Sequence, residues 1–302
     1  RDAEEKRKKF RETFYKTLSE TARNEGCRFL VQGTIRADIE ETAGGIKTQH
    51  NVLAQIGIAP TERYGFQVIE PVASLYKEQV RKVARFLGIP KEISERQPFP
   101  GPGLSVRVVG EIRADKLEVL RKATVITEEE LTRHQPGQFF AAIIDNEERP
   151  HYPKLAGISE MIGEFLDVSP DCVSVKVFQD RATGVKGGRR LYGDVLGVKA
   201  EDEDGRILRA PIKSLVGLQA KIVKENPSFA RVLYAIDEAE KEKAFNVVVR
   251  AVETVDFLTA TVADVSWTSL ERIADRILES CPMVSGVFYD VTPKPPATIE
   301  FE

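Results

Sequence analysis

Near the start of the chain the apolar positions recur with a helical period. Phe10, Phe14, Leu18 and Ala22 fall four apart in a stretch of mixed charge, which predicts a helix over 2–25 that Gly26 ends. Arg28-Phe-Leu-Val-Gln32 then reads as a short strand, and Gln67 to Glu70 as a second, closed by Pro71. Between them, residues 33–65 carry Gly44, Gly45, Gly57, Pro60 and Gly65 and read as a long loop. Loops beyond about 12–15 residues are uncommon unless functional or disordered. Ser74 to Leu87 predicts a helix: Tyr76, Val80, Val83, Ala84 and Leu87 share a face, Glu78 precedes Lys82 by four, and Gly88 and Pro90 are stops. Helix, strand, loop, strand, helix is the order of a parallel α/β sheet, although two strands are few for a stable one.

Pro98-Phe-Pro-Gly-Pro-Gly103 predicts a domain boundary, and the pattern changes beyond it. A helix is expected from Asp115 to about Arg133, with Asp115 and Glu118 as a capping pair. Strands are expected at 173–178, 193–200 and 246–252. A last helix at 268–279 has Leu270, Ile273, Ala274 and Ile277 on one face, and strands follow at 285–291 and 298–301. The fold class is therefore α/β followed by α+β, a partial parallel sheet and then a largely antiparallel one. No internal repeat is read, and the acidic run Glu201 to Asp204 reads as a solvated turn.

Composition narrows the function classes. At 302 residues, 42% hydrophobic and 30% charged, the chain has material for about two domains with a sizeable core. No apolar run approaches the ~20 residues of a membrane span, and a net charge of −3 speaks against nucleic acid as the main partner. Cys27, Cys172 and Cys281 are odd in number and far apart, which opposes a disulfide framework or a zinc site and implies a reducing, cytoplasmic setting. They read as buried small apolar residues. The chain starts at Arg1 and its methionines are Met161 and Met283, so it reads as a piece of a longer polypeptide, one with its front missing, or a trimmed chain.

Three segments have candidate chemistry. The loop Gly44-Gly-Ile-Lys-Thr-Gln-His-Asn51 is either a plain surface loop or a lid that folds over a phosphate and places Lys47 and His50 on it. It lacks the G-x-x-x-x-G-K spacing of a Walker loop. Asp38 and Glu41 precede it and can orient Lys47 or contact a sugar or metal. The Pro100–Gly103 turn alternates fixed prolines with open glycines, and is either a rigid linker or an anion or base contact through bare N–H groups of Gly101 and Gly103. The tail from Lys294 to Glu302 pairs stiff prolines with an alternating pattern, either an edge strand or a ligand segment with one cation and one carboxylate. His134 and His151 read as surface residues.

Six strings in one order carry a family resemblance: Gln32-Gly-Thr-Ile, Ile46-Lys-Thr-Gln-His-Asn-Val52, Glu70 to Arg81, Phe99-Pro-Gly-Pro-Gly-Leu104, Arg250-Ala-Val-Glu-Thr254 and Lys294-Pro-Pro-Ala-Thr-Ile-Glu300. Together they resemble the synthetase part of glutamine-hydrolysing GMP synthases over about 1–143, 173–193 and 247–302. The resemblance implies a ligase in which ATP, with Mg²⁺, adenylylates xanthosine monophosphate (XMP) and ammonia then displaces AMP. It implies the C-terminal part of a doubly wound, adenine-nucleotide α-hydrolase-like ATP-pyrophosphatase domain over 1–98. An XMP-binding, homodimerising domain over 99–302 follows, with an inserted or remodelled segment at about 194–246. By resemblance the catalytic residues are Lys47, His50, Asp38 and Glu41; Gly33, Thr48 and Asn51 lie on the ATP and lid side. Pro100, Gly101, Pro102, Gly103, Lys294, Ile299 and Glu300 contact XMP, and a separate glutaminase subunit or domain supplies ammonia. The family's Ser-Gly-Gly-Val-Asp-Ser loop is absent from this sequence, Gln49 stands for the first of two lid histidines, and Leu53 to Pro60 replaces a Gly-Gly-Leu-Pro turn. Two further readings therefore stand beside the enzyme: an inactive nucleotide-binding relative that dimerises and regulates, and an enzyme that activates another acceptor.

Overall fold

The expected first helix is present as α1, Ala3–Asn24, and its apolar face meets a small aromatic core. Tyr15 and Phe66 are fully buried there, with Phe14, Leu18, Ala22, Leu30, Tyr64 and Val68 packed around them. A computed structural model describes residues 3–43, 64–95, 97, 99–134, 136–150, 152, 157–254 and 259–302, and divides the chain into units 2–103 and 104–302.

In the first unit β1 (Phe29–Val31) and β2 (Gln67–Ile69) pair in parallel, Leu30 opposite Val68. The segment expected to be all loop begins with a helix, α2 (Arg36–Ala43), anchored where Asp38 Oδ2 accepts from the Ile35 N–H at 2.9 Å. Helix α3 runs Lys77–Phe86, three residues inside the expected start, because the Tyr76 N–H is capped by Gln79 Oε1 at 2.8 Å. The short α4 (Lys91–Ser94) follows.

The second unit is built on a seven-stranded mixed sheet. Its elements are α5 (Ala114–Leu131), β3 (Gln138–Asp145), α6 (Ile158–Leu166), β4 (Val173–Lys186), β5 (Arg189–Ala200), α7 (Ile212–Glu225), β6 (Phe229–Glu238), β7 (Phe245–Glu253), β8 (Thr261–Val262), α8 (Trp267–Ser280) and β9 (Val284–Asp290). The strand order is β3-β7-β9-β6-β5-β4, with β8 on β7. The β7–β9 and β5–β6 pairs are parallel and the others antiparallel. Helices α5, α7 and α8 give Leu120, Ala123, Leu215, Ile222, Leu270 and Ile277 to one core face. Phe140, Phe178, Leu233, Val248 and Phe288 fill the opposite face. Each buried Leu, Ile, Val or Phe among these stabilises by about 1.5–3 kcal/mol.

Along that order the pairing directions read the same from both ends, and they overturn the expectation of no repeat. β5-α7-β6 and β7-α8-β9 are two copies of one motif, 55 positions apart: α7 at 212–225 maps onto α8 at 267–280, and Tyr234 onto Tyr289. The tyrosines face each other across the central β6–β9 pair. Each hydroxyl donates to the carbonyl at the matching place, Tyr234 to Leu208 (2.9 Å) and Tyr289 to Ala263 (2.7 Å). Ser214, Leu215, Ile222, Pro227 and Val232 recur as Ser269, Leu270, Ile277, Pro282 and Val287. The inner copy sits in the chain between β3 and β7, so β3 is far in sequence from the outer copy and beside it in the sheet.

Other expectations change. Arg113, and not Asp115, precedes the first turn of α5, and Glu118 pairs with Lys122 at 3.1 Å instead of capping. Residues 298–301 form no strand. Cys27 is exposed and Cys172 half-buried, leaving Cys281 as the buried thiol.

Candidate functional site

In the first unit the two strands end side by side. Beyond β1 come Gln32, Gly33 and Thr34, and beyond β2 comes Glu70. Thr34 donates to Glu70 Oε1 at 2.5 Å and Gln32 Nε2 donates to Thr34 at 2.9 Å, so one network ties both carboxyl ends. Ligands of parallel α/β sheets bind at this edge. Gly33 is exposed, and a Cβ there would meet nothing within 4 Å, so the main chain is open to close approach. Asp38 holds the start of α2, which makes its carboxylate a structural anchor at this edge. Glu41 lies on α2. Lys47, Thr48, His50 and Asn51 fall outside the described residues, as does His151. Sequence reading missed the Thr34–Glu70 bond, whose partners are 36 residues apart.

The Pro100–Gly103 segment is a tight turn. The Gly103 N–H donates to the Pro100 carbonyl at 2.9 Å with Gly103 at φ +64°, so this N–H is not the bare donor expected. Gly101 is exposed and Pro102 buried.

The C-terminal tail is the most completely built candidate. Lys294 is half-buried, and its main chain forms two hydrogen bonds with Ala260, at 2.8 and 3.0 Å. Ile299 packs against the second core face. Glu300 is gripped at both oxygens by Arg107, Nε at 3.0 Å and Nη2 at 3.1 Å, and this guanidinium lies 4.1 Å over the Phe140 ring. Such a fork fixes the plane of the carboxylate as well as its place. The main chain is fixed too. Arg250 donates to the carbonyls of Ile299 (2.8 Å), Thr298 (2.9 Å) and Thr292 (3.0 Å), and Arg231 to those of Thr298 (2.9 Å) and Glu300. Both arginines share Asp290 Oδ2, at 2.6 and 2.7 Å, and all three side chains are fully buried. Burial pushes the Arg231 guanidinium down to about 10, against the pull of Asp290, so it keeps its charge at neutral pH. Sequence reading missed Arg107 and Arg231. The available signal was a lone arginine in an apolar run (Val106 to Val109, Ala230 to Leu233), since charges are seldom buried unless paired.

His134 is exposed, with its ring nitrogen 2.7 Å from Ser269 Oγ. Among the described residues no three His, Cys, Asp or Glu side chains cluster as for a metal, and no helix is long and apolar enough to cross a membrane.

Residues 237–301 match the GMP synthase C terminal domain family. The whole chain aligns at 44% identity, over 301 residues and 75% of the relative's length, with one of the subunits of the glutamine-hydrolyzing GMP synthase of Sulfurisphaera tokodaii. The chain belongs to the GMP synthase family. The like-named GMP synthase subunits of Archaeoglobus fulgidus and Methanopyrus kandleri are each 37% identical and are covered over 70% and 69% of their lengths. These alignments span the full chain, so the 194–246 segment is common ground with these GMP synthase relatives.

Proposed function

We propose that this chain carries the synthetase chemistry of GMP synthase: ATP activates XMP as its adenylyl derivative with release of pyrophosphate, and ammonia displaces AMP to give GMP. The observation that carries the reading is the tail: Lys294 through Glu300, the strings of the resemblance, lie in a segment whose carboxylate and carbonyls are fixed by three buried arginines. A ligand contact is worth most when it is organised before the ligand arrives. Lys294 supplies positive charge for the XMP phosphate and Glu300 an acceptor for purine N–H groups. ATP belongs at the Gly33 edge of the parallel pair, under a lid carrying Lys47, Thr48, His50 and Asn51, with Asp38 and Glu41 at its base. A lid lysine stabilises charge that develops on the α-phosphate.

The described residues form no protein-made cage for Mg²⁺. Magnesium commonly keeps its waters and rides on nucleotide phosphates with one or two carboxylates, so no residue is assigned to it. The relatives are named as single subunits of glutamine-hydrolyzing GMP synthases, and this chain takes a separate glutaminase subunit as its ammonia source. Domain roles follow the same reading: residues 1–98 as part of the ATP-pyrophosphatase domain and 99–302 as the XMP-binding, dimerising domain.

XMP- and ATP-dependent release of AMP with ammonium as donor tests this. Lys47→Ala removes the release and leaves XMP affinity within about twofold, because the lid acts on the phosphoryl step. Undiminished release would remove the lid lysine from the mechanism. XMP binding with no AMP release under any condition would favour the inactive, regulatory relative.

A further inference from the structure

The duplication in the second unit has an asymmetric end. The outer copy runs from β9 into the tail, whereas the inner copy's β6 passes by 239–244 into β7. The match to the GMP synthase C terminal domain, 237–301, takes in β7, β8, α8, β9 and the tail, and leaves out nearly all of the inner copy and its edge strand β4. The tail nevertheless rests on what that match leaves out. The Thr183 N–H donates to the Phe301 carbonyl (2.8 Å), the Val185 N–H to the Pro296 carbonyl (2.6 Å), and the Thr298 hydroxyl to the Thr183 carbonyl (3.0 Å). The Tyr192 hydroxyl donates to Glu302 Oε1 at 3.1 Å. Arg231 of β6 completes the seat: one nitrogen serves the Thr298 and Glu300 carbonyls, another meets Asp290, and the guanidinium lies 3.9 Å over the Phe301 ring.

We propose that β4 and the inner copy, residues 173–238, are the seat of the C-terminal nucleotide-contacting segment, with Arg231 as its positioning residue. The site is thereby completed by the chain's own duplicated half, whether or not the unit also dimerises. This rests on the reading of Lys294, Ile299 and Glu300 as XMP contacts. Arg231 acts through the main chain of Thr298 and Glu300, the residues on either side of Ile299. A planar guanidinium presents several donors in fixed directions and satisfies diverging carbonyls together with a carboxylate; an ammonium on a shorter reach keeps the charge and loses the geometry.

Two variants of the full chain test it. Arg231→Lys keeps a cation beside Asp290. Gly184→Ala leaves every arginine in place, but its Cβ would stand 2.8 Å from the Pro296 carbonyl oxygen and 3.1 Å from Ala230 Cβ, so it pushes on the tail from the inner side. Amide hydrogen exchange and calorimetric XMP affinity are read on each. The expected result is faster exchange at 297–302, unchanged protection in β7 and β9, and XMP binding weakened about tenfold in both, the scale of one lost hydrogen bond. Tail exchange that stays slow in both variants overturns the seat. Faster tail exchange with unchanged XMP affinity overturns the positioning role. Loss of protection spreading to β7 and β9 in both variants makes these residues parts of the core and also contradicts the proposal. So does wild-type tail protection that falls on dilution, which would put the seat on a second copy. If the wild-type chain binds no XMP, the nucleotide reading fails, and the exchange results still decide whether the inner copy seats the tail.

Discussion

Replacing Arg107 by methionine isolates the grip on Glu300. In the native chain the Arg107 side chain is 2% exposed and Glu300 13%, with two bonds of 3.0 and 3.1 Å between them. Removing one partner of a buried pair costs about 3–5 kcal/mol, because the remaining charge stays desolvated. Glu300 retains some solvent and methionine keeps part of the packing on Phe140, which places Arg107→Met near the lower end, about 3 kcal/mol. Glu300→Gln keeps one acceptor oxygen, turns an amide NH2 toward the other Arg107 donor and leaves the buried guanidinium without its counter-charge, so it too costs about 3 kcal/mol. With both changes no charge is left unpaired, so the double variant should be more stable than the sum of the losses predicts by about 1.5 kcal/mol or more. Urea unfolding of the four proteins at pH 7 measures this directly. Losses that add within about 0.5 kcal/mol would refute the coupling and with it the account of how Glu300 is held.

Three further outcomes are expected. Burial alone would raise the Asp145 carboxyl, but Lys116 at 3.0 Å and Arg113 at 3.1 Å together hold it below the usual carboxylate range. Its contribution is therefore full above the unfolded value near 3.9 and is lost as pH falls through the lower folded value. Asp145→Asn should lower stability at neutral pH and flatten the acid limb below about pH 4; acid limbs of equal slope would show that the carboxylate is not held low. Tyr234→Phe and Tyr289→Phe each remove one of two donors to a carbonyl at matching places in the duplicated motif, leaving the Ala210 and Val265 N–H groups on Leu208 and Ala263, so each should cost about 0.5–1.5 kcal/mol, within 1 kcal/mol of the other, by chemical unfolding. A marked inequality would argue against equivalent roles. Lys294→Gln should weaken XMP binding more at 20 mM than at about 500 mM salt, because exposed charge pairs are screened; a salt-independent loss would reduce Lys294 to packing.

The elements with a clean period were legible in the sequence. Helices α1, α3, α5 and α8 and strands β1, β2, β5, β7 and β9 lie within a few residues of expectation. Strand β3, Gln138–Asp145, is buried along its whole length, as β9 is, so alternation could find neither, and β3 lacks the run of valines that marks β7. Helix α7 has Ile212, Leu215, Leu218 and Ile222 at helical spacing between Pro211 and Pro227, a signal that was present and overlooked. Seeing α7 would have exposed the duplication, since α8 repeats it 55 positions on. The alternation at 298–301 misled for a physical reason: the carbonyls of Thr298, Ile299 and Glu300 are taken by arginine side chains, while that of Phe301 accepts from Thr183 of β4. In the tail, Lys294, Ile299 and Glu300 were singled out through the resemblance. Arg107 and Arg231 were not, because their partners lie 193 and 69 residues away.

Calorimetric titration of XMP into this chain, with and without ATP–Mg²⁺, bears most directly on the central claim that the arginine-held tail is half of an XMP site. The account predicts saturable binding of XMP that Glu300→Gln weakens and that GMP, carrying an amino group at the reacting position, competes for. Titration heats indistinguishable from dilution, with and without ATP–Mg²⁺, would contradict it and leave the tail without a ligand.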